Sequence, residues 1–293
     1  MKTFKVVMPV LVYLIISVPA FAQDFGTLIH FSSENSLWNT DWSLDGKWIT
    51  FGYGEDIWIV STVDGTKKNL TLEIEDDCSF PVFSPDGSEV MFSCRFIHES
   101  KQASSTLRSI NIETGNISIV MEEAYSGSYS RDGNYLVYIY WPDPDNHVNM
   151  CHAVHNLENN KTEYYDFFGN APPYFNFGNS QMSPDNTYFV TTLGKIGGQD
   201  NSENPDALYR VYLDGSVEEI LSDGAPWYPK FSPDGKWILY TRWDYSDMDV
   251  VRNKPARAIY VYNMETGETI NPIPNNSYWS LCGSWSPDGK KIC

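Results

Sequence analysis

A tetrapeptide close to Ser-Pro-Asp-Gly recurs six times along this 293-residue chain, with its Asp at positions 45, 86, 132, 185, 234 and 288. The spacings of 41, 46, 53, 49 and 54 residues are those of a repeat array rather than of separate domains. Each copy carries an apolar residue three places before the Asp (Trp42, Phe83, Tyr129, Met182, Phe231, Trp285) and another four places after it (Ile49, Val90, Leu136, Phe189, Ile238, Ile292). Alternation of period two on both sides of a tight turn is the pattern of a half-buried β-hairpin. Asp-Gly supplies the turn, because Gly tolerates positive φ and the Asp side chain bonds nearby amides.

A second hairpin follows in each copy, its inner strand around Ile57–Val60, Leu107–Ile112, Leu208–Leu213 or Ile259–Tyr262 and its turn at Asp64-Gly65, Thr114-Gly115, Asn159-Asn160, Asp214-Gly215 or Thr266-Gly267. Two hairpins make four antiparallel strands, one blade. The expected fold is therefore all-β: a six-bladed β-propeller of four-stranded blades.

Residues 26–46 align without a gap onto residues 215–235, so Thr27–Ser33 reads as an outermost strand without a blade of its own. Its expected place is the last blade, where it would join the first and last repeats and leave no open sheet edge. That last blade reads as incomplete and the chain as C-terminally truncated, because the sequence stops at Cys293. At the other end, Lys2 and Lys5, an apolar run from Val6 to Val18, and Ala20-Phe21-Ala22 form the pattern of a secretory signal peptide over residues 1–22. The domain is then 23–293, exported to the periplasm or secreted, monomeric, and not inserted in a membrane once the signal is removed.

Twenty Lys and Arg against 38 Asp and Glu leave a formal net charge of −18, which argues against nucleic acid or anionic membrane as partner. The five cysteines show no metal-type spacing. Cys78 and Cys94 fall eight residues either side of Asp86, and Cys282 and Cys293 flank Asp288 in a similar way, so a cross-strand disulfide is conceivable at each.

The blade signature Pro-x-Phe-Ser-Pro-Asp-Gly, clearest at Phe80–Gly87 and Tyr228–Lys236, resembles the TolB-type (WD40-like, PD40) propeller repeat over essentially the whole mature chain. Similar repeats occur in periplasmic TolB, in propeller domains ahead of prolyl-oligopeptidase-type hydrolases, and in some oligogalacturonate lyases. The resemblance implies fold more firmly than activity. The chain carries no Gly-x-Ser-x-Gly elbow of a hydrolase. The first expectation is a non-catalytic scaffold for a protein or an oligosaccharide. The alternatives are a carbohydrate-active enzyme of oligogalacturonate-lyase type and the N-terminal propeller of a hydrolase.

The insertions fall in the connections between the second and third strands of a blade, near 96–106, 140–148, 193–207 and 242–257, all on one face of a propeller. Elaborated loops on a rigid scaffold are where binding residues collect. Trp38, Tyr125 and Trp227 each lie seven residues before their Asp, with Trp279 near that slot, at the entry of the innermost strand. They either form an aromatic rim for sugar rings or peptide side chains, or pack between blades. Trp141 and Trp243 sit in the inserted loops and are expected to be exposed.

No cofactor is required by the sequence, but oxygen-rich loops hold candidate Ca²⁺ ligands at Asp143, Asp145, Asp200, Asn204 and Asp206. Among the histidines, His147 lies in a loop and is the candidate base for a lyase. His152 falls in an inner-strand packing slot and is expected to be structural.

Overall fold

The computed structural model describes residues 15–16, 37–97, 103–141, 150–166, 179–193, 207–249, 254–272 and 282–293. These residues form strands and turns, and no helix among them is long and apolar enough to cross a membrane. Five four-stranded antiparallel sheets follow one another, each with its strands in sequence order. Their first strands are Leu37–Trp42, Asp77–Phe83, Ala124–Tyr129, Gln181–Met182 and Trp227–Phe231.

The sixth repeat differs from the expected blade. Its residues 282–293 contribute a bridge between Trp285 and Ile292 and a strand, Lys291–Ile292, that pairs with Ile15–Ile16. The described structure thus has five four-stranded blades rather than six. The strand 27–33 expected beside the last repeat lies outside the described residues; the N-terminal segment found there is Ile15–Ile16, from within the apolar run read as a signal peptide, and its removal would leave Lys291–Ile292 without this partner.

Each tetrapeptide turn is a closed hydrogen-bond network, which is why the same residues recur. The Ser Oγ donates to the Asp carboxylate at 2.6–2.7 Å in all six copies. The amide two residues after each Asp donates to the same carboxylate at 2.9–3.2 Å. The Ser Oγ in turn accepts from the amide five residues on, at 2.9–3.2 Å. The residue after the Asp has φ between 58° and 78°, which explains Gly in five copies and Asn186 in the other.

The apolar clusters lie between neighbouring sheets. Ile57, Ile59 and Leu70 of the first sheet meet Phe83, Val90 and Phe92 of the second, and equivalent clusters join second to third, third to fourth and fourth to fifth. Two further clusters place Trp285 and Ile292 against the fifth sheet and Cys293 against the first. Residues 282–293 therefore stand between the last and first sheets and close the array. Hydrogen bonds repeat the point: the Thr40 Oγ1 donates to the Cys282 carbonyl at 3.0 Å, and the Trp285 Nε1 to the Lys230 carbonyl at 3.2 Å.

The expected insertions near 96–106 and 242–257 are largely paired backbone. Strands Glu89–Ile97 and Ala103–Asn111 stay in register to Ile97 opposite Ala103, and Trp237–Asp249 pairs with Lys254–Asn263 as far as Asp249 opposite Lys254. Two β-arms extend the sheets on that face.

Candidate functional site

The first strands surround an axial channel whose two ends are built differently. At the turn end, residues from all six repeats line one cavity of about 170 Å³, including Asp41, Val82, Ser128, Gln181, Lys230 and Ser284, each four places before its turn Asp. Polar contacts span it. Lys230 Nζ lies 3.9 Å from Asp41, and the Arg131 Nη1 donates to the Pro233 carbonyl at 2.5 Å. Asp41 also accepts the Phe83 amide at 3.0 Å, and Gln181 accepts the Phe231 amide at 2.5 Å. Burial raises the pKa of the Asp41 carboxyl, opposed by Lys230 and by that amide. The bonds to the Phe83 and Phe231 amides tie neighbouring innermost strands together, and those of Arg131 and Lys230 reach across the channel.

Toward the loop end, the first strands bulge. Pairing slips between Trp38 and Asp41, Ser79 and Val82, Tyr125 and Ser128, and Trp227 and Lys230. The residue six places before the turn Asp has positive φ in five repeats: Asn39 at 48°, Phe80 at 53°, Ser126 at 51°, Tyr228 at 57° and Cys282 at 60°. For bulky side chains such as Phe and Tyr this is an outlier, and such strain gathers at functional sites.

The bulges assemble a row of rings. Phe80 lies 6.5 Å from Tyr228 between ring centroids. They come from the second and fifth sheets, which share no apolar cluster, so they meet across the channel and floor its loop-side mouth. Tyr125 stands edge-on to Phe80 at 5.0 Å, and Trp141 edge-on to Tyr125 at 6.4 Å. On the other side Trp227 adjoins Tyr228 at 5.8 Å. Arginines flank both ends of the row, Arg95 over Trp141 at 5.9 Å and Arg257 over Trp227 and Trp243 at 5.2 and 4.3 Å.

Several polar atoms at this level are buried without a hydrogen-bond partner among the described residues: Asn39 Oδ1, Ser126 Oγ and Trp227 Nε1. Arg95 is exposed, and although Asp77 is directly opposite it in register, no described carboxylate lies within 4.0 Å of its guanidinium. Burial raises the pKa of the Tyr125 phenol, opposed by Ser79 and Arg95.

The structure therefore gathers four of the sequence candidates, Tyr125, Trp141, Trp227 and Trp243, at one mouth. It adds Phe80, Tyr228, Arg95 and Arg257. Trp141 is buried rather than exposed, since its amide donates to the Glu123 carbonyl at 2.7 Å and so extends the sheet. Trp38 lies at the same strand level on its backbone. Trp279, His147 and the candidate Ca²⁺ ligands Asp143, Asp145, Asp200, Asn204 and Asp206 lie outside the described residues.

His152 is structural, as its slot implied. It is fully buried, its Nδ1 is 2.9 Å from Ser180 Oγ and its Nε2 is 3.3 Å from Thr191 Oγ1, and burial lowers its pKa to about 3. Cys282 and Cys293 do not face each other. Cys282 is the unpaired bulge residue, and Cys293 exchanges both backbone bonds with Ser284.

No family model and no curated protein matches the chain. Solved structures do. A protein designated TolB, from Agrobacterium tumefaciens, is 17% identical with a TM-score of 0.67, and the match covers 91% of each chain. Hydrazine synthase from Kuenenia stuttgartiensis matches at 12% identity and TM-score 0.55, over 92% of this chain and 94% of that one. A puromycin-hydrolysing peptidase from Mycobacterium tuberculosis matches at 13% and 0.54, over 81% of this chain but 38% of its own. The chain has the TolB-type β-propeller fold. At these identities the likeness extends to fold alone.

Proposed function

We propose that this chain is an exported, non-catalytic propeller that binds a protein or an oligosaccharide at the loop-side mouth of its channel. The observation that carries this reading is the row of rings from Trp141 to Trp243, set on strained bulges and flanked by Arg95 and Arg257. Aromatic faces offer large contact area, and the buried orphan atoms of Asn39, Ser126 and Trp227 are groups that a ligand would satisfy. The six turns and six apolar clusters support a ring of six repeats, the sixth represented by residues 282–293. The net charge of −18 fits an exported soluble protein, and Arg95 and Arg257 set two cations beside the rings.

The test is direct. Purified protein is titrated with uronate oligosaccharides and with acidic peptides, reading tryptophan fluorescence. Saturable binding that falls at least tenfold in Phe80→Ala supports the reading. A rise in unsaturated-product absorbance that disappears in His147→Ala would replace it with the lyase reading.

A further inference from the structure

Cys78 and Cys94 stand directly opposite each other on the first and second strands of the second sheet, with their sulfurs 2.9 Å apart. Both are thiols in this structure and both are buried. The Cys78 amide donates to the Glu55 carbonyl of the neighbouring sheet at 3.0 Å instead of to Cys94. The two residues thus form a non-hydrogen-bonded pair, the type whose side chains approach most closely, with Cα atoms about 4.5 Å apart. That separation falls within the range a disulfide spans, about 4.4–6.8 Å.

We propose that Cys78 and Cys94 are the disulfide site of this protein, closed during folding by a disulfide donor such as an oxidised thiol–disulfide oxidoreductase or oxidised glutathione. One cysteine thiolate attacks the donor disulfide, forms a mixed disulfide and releases one donor thiol. The other attacks the mixed disulfide at the protein sulfur and releases the second. The protein gives up two electrons and two S–H protons; the donor disulfide becomes two thiols.

Two further observations place this bond in time and in the architecture. Cys78 and Cys94 belong to the apolar cluster between the first and second sheets, so a donor reaches them before those sheets close. The shared proton with Cys94, and then burial, push the Cys78 thiol far above its ordinary pKa, so exchange in the folded molecule is slow in either direction. The bond also brackets the mouth. Phe80, the ring that touches both Tyr125 and Tyr228, is two residues beyond Cys78, and Arg95, which covers Trp141, is the residue after Cys94. A cross-link here joins the entry of the bulge that carries Phe80 to the neighbouring strand that carries Arg95.

Cys151, Cys282 and Cys293 remain thiols on this account, since Cys282 lacks a cross-strand partner and Cys293 faces Ser284.

The prediction rests on the export reading only for the donor available in the cell, and the test separates the two. Protein isolated with its thiols trapped is denatured without reductant and alkylated. The expected product carries three labels, gains two more after reduction, and yields a linked peptide pair containing Cys78 and Cys94. In Cys78→Ala, four labels are expected without reductant. In parallel, reduced full-length protein is refolded in a glutathione redox buffer. Formation of the bond there, with five labels on protein that fractionates with the cytoplasm, overturns export and leaves the pair intact. Five labels in both preparations, or a linked pair that includes Cys151, Cys282 or Cys293, overturns the proposal.

Discussion

The two ends of the channel are made from the same repeats, yet they follow opposite rules. At the turn end the same Ser, Asp and Gly return in nearly every repeat, and each Ser–Asp pair closes its own hydrogen-bond network. At the loop end the equivalent slot holds Asn39, Phe80, Ser126, Tyr228 and Cys282, five different residues in one strained conformation. Repeated, locally bonded chemistry is what a scaffold needs. Varied, strained and partly unsatisfied chemistry is what a binding mouth tolerates, because strain and orphaned polar groups lower stability and persist where function requires them.

The largest expected effect tests the frame between the two ends. His152 lies between the third and fourth sheets, and its pKa is lowered to about 3 from an unfolded value of 6.5. The unfolded chain therefore binds the extra proton first as pH falls. Stability from this group is complete above about pH 6.5 and is lost as pH drops toward 3, on the order of 5 kcal/mol over the whole window. Denaturant melts across this range should show the slope, and His152→Gln should flatten it. The turn carboxylates come later. Hydrogen bonds from Ser84 and the Ser88 amide lower the pKa of Asp86, and bonds from Ser286 and the Lys290 amide lower that of Asp288. Their contribution is present above about pH 4 and is lost only below it. Acid opening of the turn end ahead of the core, seen by hydrogen exchange, would break this ordering.

A smaller effect separates the ends by mutation. Asp86→Ala removes the acceptor for Ser84 Oγ and for the Ser88 amide and should cost about 2 kcal/mol, read as a lower melting temperature. Ligand affinity at the mouth should not change. Phe80→Ala should do the reverse, with binding lost and stability shifted by less than about 1 kcal/mol, since the ring is only half-buried. The smallest effect is Asn39→Gly, which relieves a positive φ of 48° and should raise stability by a few tenths to about 1 kcal/mol.

The same division explains what could be read from the sequence. The hairpins were legible because Ser-Pro-Asp-Gly is local chemistry: in every copy the Asp takes the Ser Oγ two residues before it and the amide two residues after it. The structural role of His152 followed from its slot in the repeat. The bulge was not legible, because register between strands sets it and no shared side chain marks it. Missing it misplaced Cys282, which spacing about Asp288 sets opposite Cys293 and the bulge leaves unpaired. Trp141 looked like a loop residue, but its amide bond to Glu123 carries the sheet one residue further and buries it. Arg95 and Arg257 became visible only once the blades brought them over Trp141 and Trp243.

The central claim, scaffold at one end and site at the other, can be tested without a ligand on two serines four residues apart. Ser126 and Ser130 belong to the third repeat, one in the bulge at φ 51° with its Oγ unpartnered among the described residues, the other bonded to Asp132 at 2.7 Å. Thermal melts of Ser126→Gly and Ser130→Gly should move in opposite directions. The first should rise by about 1 kcal/mol as strain and the buried hydroxyl are removed, and the second should fall by about 2 kcal/mol as the turn network opens. A fall of similar size in both would contradict the account.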